Sequence, residues 1–146
     1  MNDLLESVWH NNMNMRIIIQ SCYPFLITDV SSDWLNFCGL TPNKVLGKTL
    51  KIIQGECTEL IKKKEIMNAV HENKQISTTI TNYTNSGIIF KNEITIIPNI
   101  SNNEFIVKTT NIKINKSTIN DSFCPNIINN MFNKSYNKKW RTLIKI

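Results

Sequence analysis

The chain has 146 residues, 17 Lys and Arg against 11 Asp and Glu, a net charge of +6 and 41% hydrophobic residues. That is one domain plus ends, long enough to bury a core of its own. It lacks a run of about 18 apolar residues, which argues against a transmembrane helix. The start, Met1-Asn2-Asp3-Leu4-Leu5-Glu6, lacks the basic and apolar regions of a secretory signal, so a soluble, intracellular (cytoplasmic) protein is expected.

In chain order, Leu4, Leu5, Val8, Trp9 and Met13 fall roughly on one side of a helix over 3–14. Arg16–Ile19 and Phe25–Val30 read as short strands around the turn Ser21-Cys22-Tyr23-Pro24. Ser31 or Ser32 can cap a helix through Cys38. Thr41-Pro42 opens another to Leu46, with proline at the first helical position. The longest helix starts at Thr58-Glu59 and runs to about Asn73, with Leu60, Ile66, Met67 and Val70 inward. Lys62, Lys63 and Lys64 read most simply as a solvated helix face.

The next part alternates with period two. Ile76, Thr78, Ile80 and Asn82 share one face of a strand; after the turn residues Asn85-Ser86-Gly87, Phe90, Asn92, Ile94 and Ile96 share one face of the next. A turn over 98–103 leads to a third strand, Phe105 to about Lys113. Two strands, a run of helices and a three-stranded meander predict an α+β domain, with helices on one face of a five-stranded antiparallel sheet. Asn82 and Asn92 fall on the apolar faces of their strands. A buried carboxamide without partners costs roughly 1–3 kcal/mol, so each needs a ligand, a water or the backbone, unless it sits at a strand end near solvent.

Cys22, Cys38, Cys57 and Cys124 lie far apart without a C-x-x-C pair, so metal-ligand spacing is absent and four reduced, mostly structural thiols are expected. His10 and His71 stand in helical contexts, no Ser-His-acid or Cys-His arrangement is legible, and four glycines make no phosphate loop. An enzyme is not expected.

The stretch Gly47-Lys48-Thr49-Leu50-Lys51-Ile52-Ile53-Gln54-Gly55 resembles the flavin-contacting signature of light-oxygen-voltage (LOV) domains, a branch of the PAS superfamily. Asn82-Tyr83-Thr84-Asn85-Ser86-Gly87, Phe90-Lys91-Asn92 and Pro98 are similar to the motifs that follow it, and Pro24–Val30 with Trp34–Gly47 resembles a compact PAS opening. The likeness covers roughly residues 16–112 and implies a PAS fold. Carried over position by position, it implies a ligand pocket of Thr49, Lys51, Gln54, Asn82, Asn92 and Thr109, the last placed to within a residue. Leu50 stands where the family has its adduct-forming cysteine, which excludes the cysteinyl photocycle. Met67 replaces a phosphate-binding arginine, and Lys51 keeps the charge of another without its bidentate fork. FMN or FAD remains a candidate cofactor, beside another small ligand or none.

The expected organisation is a flanking helix over 1–15, a PAS domain over 16–113 and a basic, Asn-rich segment over 114–146. Residues 1–107 carry 9 Lys and Arg against 10 acids, whereas residues 108–146 carry 8 against one. In that last segment Ile128, Phe132, Tyr136, Trp140 and Leu143 recur at helical spacing, which predicts an amphipathic helix over 125–145. Two readings stand. The first is a sensory or protein-interaction module that signals through ligand occupancy or dimerisation, with a second copy or a signalling protein as partner. The second is a basic protein that binds nucleic acid or an anionic membrane through its C-terminal lysines.

Overall fold

The computed structural model describes residues 14–114, together with the backbone of 7–10 and of 115. Strands β1 (Ser7–His10), β2 (Met15–Gln20), β3 (Ile27–Val30), β4 (Ile76–Tyr83), β5 (Ile89–Asn99) and β6 (Glu104–Asn115) form one antiparallel sheet. Its main path runs β3-β2-β6-β5-β4, with β1 paired to β6 off that path. Between β3 and β4 come helices α1 (Ser32–Cys38) and α2 (Pro42–Val45), a 3-10 turn (Leu50–Ile53) and helix α3 (Leu60–His71). This is the expected α+β architecture, five antiparallel strands in the main path with a few helices between β3 and β4, and β1 adds a sixth strand beside β6.

The N-terminal helix expected over 3–14 is corrected at 7–10, which pair with β6 from Ser7↔Asn115 to His10↔Ile112. β2 pairs with β6 from Met15↔Thr109 to Gln20↔Glu104, so β1 and β2 follow one another along the same side of β6. Apolar residues at helical spacing there lost to an available strand edge, since main-chain pairing with β6 is a tertiary term that periodicity does not contain. The expected C-terminal helix lies outside the described residues.

Alternation builds the core. Met15, Ile17 and Ile19 of β2 face inward with Phe90, Ile94 and Ile96 of β5 and Phe105, Val107 and Ile112 of β6. Trp34 and Cys38 of α1 and Ile66, Met67 and Val70 of α3 close over them. A bulge shifts the β5–β6 register between Glu93↔Asn111 and Ile94↔Thr109, which leaves Thr110 extra. The hydroxyl of Thr110 donates to the Glu93 main-chain oxygen at 3.1 Å and to its carboxylate at 2.9 Å. The extra residue lets both Thr109 and Ile112 face the core.

Helix starts depart from the expected capping. Ser31 is the N-cap of α1 without a side-chain cap bond. Its hydroxyl instead accepts from the Arg16 N–H at 3.0 Å, tying α1 to β2. Glu59 precedes α3 in the same way, with its carboxylate committed elsewhere, as described below. α1 ends on Gly39 at φ 70, whose N–H closes on the Leu35 oxygen. The Tyr23–Pro24 peptide is cis.

Burial in this core pushes the Cys38 thiol from its ordinary 9.0 up to about 12, while Cys22 is exposed. A thiol reagent at mildly alkaline pH should consume Cys22 and spare Cys38 until the chain unfolds. Equal labelling of the two, read by peptide mapping, would show that α1 does not stay docked. Because the unfolded thiol ionises first, the stability that Cys38 contributes is intact below about pH 9 and is lost as pH rises toward 12.

Candidate functional site

The two strand asparagines do sit in the interior, and each is buried. Asn82 Nδ2 donates to the Ile53 main-chain oxygen at 3.2 Å, Asn92 Nδ2 donates to Asn82 Oδ1 at 3.0 Å, and the Thr109 hydroxyl donates to Asn92 Oδ1 at 3.0 Å. The relay has one polarity. A carbonyl can only accept, so Asn82 must turn its NH₂ to Ile53 and its oxygen to Asn92; Asn92 is then oriented in turn, and Thr109 must donate. The partner that each asparagine requires is thus supplied by the other asparagine, by a threonine and by the main chain.

The relay borders a cavity of about 30 Å³ lined by Trp34, Leu50, Gln54, Lys63, Asn82 and Thr109 together with apolar core residues. That is room for roughly two waters. Of the residues expected from sequence, Asn82, Thr109, Gln54 and Leu50 line the cavity, and Asn92 reaches it through its bonds to the first two. Gln54 Oε1 is buried and accepts no hydrogen bond, although the residue is engaged through another contact. Thr49 and Lys51 are not among the lining residues. Thr49 caps the 3-10 turn, accepting from the Lys51 N–H at 3.3 Å, and Lys51 is exposed.

Lys63 is a correction. It was expected on a solvated face, and it is only 5% exposed on the cavity wall. Its spacing held the signal, because Lys63, Ile66, Met67 and Val70 recur at i, i+3, i+4 and i+7 and form the inward stripe of α3.

Segment 53–59 is fastened to three successive residues of β4, the last strand of the sheet path. At the strand edge the Thr81 N–H donates to Glu59 Oε1 at 2.8 Å, the Thr81 hydroxyl donates to Glu59 Oε2 at 3.0 Å, and the Thr58 hydroxyl donates to the Thr81 oxygen at 2.7 Å. Lys91 Nζ adds a 3.2 Å ion pair to Glu59 and a 2.7 Å bond to the Thr81 hydroxyl, between side chains 20% and 25% exposed. On the inner face Asn82 holds the Ile53 oxygen. The Tyr83 hydroxyl accepts from the Cys57 N–H at 2.7 Å, and its ring lies so close to Gly55 that a Cβ there would come within 2.5 Å. Cys57 is disulfide-bonded, against the expectation of a reduced thiol. Sequence spacing carries no information about such an approach in space.

Among the described residues no group of acidic, His or Cys side chains could hold a metal ion, and no helix is long and apolar enough to cross a membrane.

No protein-family model matches the chain, and neither does any curated protein. Solved structures do. The LOV domain of the Erythrobacter litoralis EL346 blue-light activated histidine kinase aligns with TM-score 0.60 and 19% identity over 72% of this chain and 97% of that one. The Rhodobacter sphaeroides LOV protein aligns with TM-score 0.62 and 13% identity over 67% of this chain and 59% of that one. A variant of the fungal photoreceptor VVD gives 0.57 and 16% over 70% and 75%. At such identities the likeness establishes the fold, which is that of LOV-type PAS domains.

LOV resemblance raises the question of flavin, and the cavity as it stands is small for one. Ligand sites run to about 300–1,000 Å³, an order of magnitude above the 30 Å³ here. The amides that would meet the ring edge are already joined to one another and to Ile53.

Proposed function

We propose that this chain is a PAS-type interaction module of sensory lineage, which signals through association with a second copy or a signalling protein and not through a LOV photocycle. The relay Thr109–Asn92–Asn82–Ile53 carries the reading. Its polar atoms are consumed inside the protein, so the interior works as a structural core and not as an open cofactor site. Leu50 supports it, because a hydrocarbon side chain at the cavity wall supplies no nucleophile for an adduct. A ligand taken up without repacking has only a few heavy atoms.

The test is spectroscopic and hydrodynamic. Purified protein supplied with FMN or FAD should carry no visible flavin bands after gel filtration, and it should elute as a concentration-dependent dimer or capture a defined partner. Stoichiometric flavin retained by the Leu50 chain would sink the reading, as would a strict monomer that binds no protein.

A further inference from the structure

We propose that segment 53–59 is a latch on the edge of β4, governed from the cavity through Asn82. Asn82 lies between the two residues that hold the latch from outside. Thr81 on one side binds Glu59 and Thr58, and Tyr83 on the other binds Cys57 and packs against Gly55. The three fastenings fall on successive residues of one strand, whose side chains alternate between its two faces, so a shift of the main chain at Asn82 is felt at both neighbours.

The outward main chain of Thr81 shows what the latch covers. Its N–H and C=O point away from β5 and are bonded to Glu59 and Thr58. β4 is an edge of the sheet, and an edge with free N–H and C=O groups is a template for an added strand. With Thr58 and Glu59 in place the edge is closed at Thr81; with these two drawn off, while the disulfide of Cys57 still tethers the segment, Thr81 offers a donor and an acceptor to an extended polypeptide. Whatever draws the Asn82 amide off the Ile53 oxygen removes the inner fastening. A small hydrogen-bonding molecule or water in the adjoining cavity has the position to do so.

The coupling is reciprocal, because linkage between two sites runs equally in both directions. Loosening the inner bond raises the population in which Thr81 is open, and cutting the outer bonds changes the environment of the Asn82 amide. The inference rests on the association reading only for its use, since strand addition is one way for an interaction module to take a partner. The latch itself is a property of the isolated protein.

Hydrogen exchange and amide NMR on the full chain test it. Asn82→Ala should speed exchange of the Thr81 and Cys57 amides by about tenfold, while the Ile17 amide in β2 keeps its protection. Glu59→Gln leaves the cavity residues untouched and should shift the side-chain NH₂ resonances of Asn82. If Asn82→Ala merely unfolds the domain, Ile17 exchanges with the rest, and the Glu59→Gln arm decides alone. Unchanged Thr81 exchange in a folded Asn82→Ala protein overturns the latch, and so does an Asn82 resonance indifferent to Glu59→Gln. Failure to dimerise or to find a partner bears on the association reading and leaves these two readouts standing.

Discussion

Trp34→Ala should lower the unfolding free energy by about 3–5 kcal/mol, the range for deleting a buried large aromatic. Trp34 is 1% exposed and stands first among the fully buried side chains by volume. It fixes α1 onto the sheet and forms part of the cavity wall, so its removal joins a new void to the one already present. The penalty grows by about 24 cal/mol for each Å³ that the surroundings fail to refill. Tyr23, 65% exposed, provides the contrast, and Tyr23→Ala should stay within about 0.5 kcal/mol. Denaturant midpoints compared at constant slope read both values. A Trp34→Ala loss below about 1 kcal/mol would mean that α1 is not docked as described.

How much of this is legible in the sequence depends on which forces a sequence records. β2, β4, β5 and β6 were readable because one buried face imposes period two, and α1 to α3 because start signals and apolar spacing agree. Asn82, Asn92 and Thr109 could be placed from the family motifs, and the structure brings all three into one relay. What the relay is bonded to could not be read, because the Ile53 oxygen belongs to the main chain and comes from 29 residues away. β1 was missed for a related reason: strand pairing rewards an edge that exists only after folding. Glu59 looked like the residue before a helix; its carboxylate is occupied by Thr81 and Lys91 across the sheet edge. Lys63 was legible by position and obscured by its charge. The pattern is consistent. Period and local punctuation are written along the chain, whereas the partner of a polar group is settled by tertiary approach.

The same relay supports the second large effect, and here the sign of the coupling matters more than the size. Asn92→Leu removes a donor and an acceptor together, which strands Asn82 Oδ1 and the Thr109 hydroxyl in a buried setting. Each orphaned group costs about 1–3 kcal/mol, so a loss of roughly 2–6 kcal/mol is expected for the single replacement. Asn82→Leu strands Asn92 Nδ2 and the Ile53 oxygen in the same way and should cost a similar amount. The double replacement leaves fewer orphans than the two singles together, because the Asn82–Asn92 bond disappears from both sides at once. Its cost should therefore fall short of the sum by about 0.5–3 kcal/mol, the coupling seen between residues of one hydrogen-bond network. Restoring Thr109→Val in the Asn92→Leu background should recover part of the loss, since it replaces a stranded hydroxyl by a methyl of similar shape. Strict additivity across this cycle would show that the amides are satisfied separately, by solvent or by a ligand, and would overturn the closed relay.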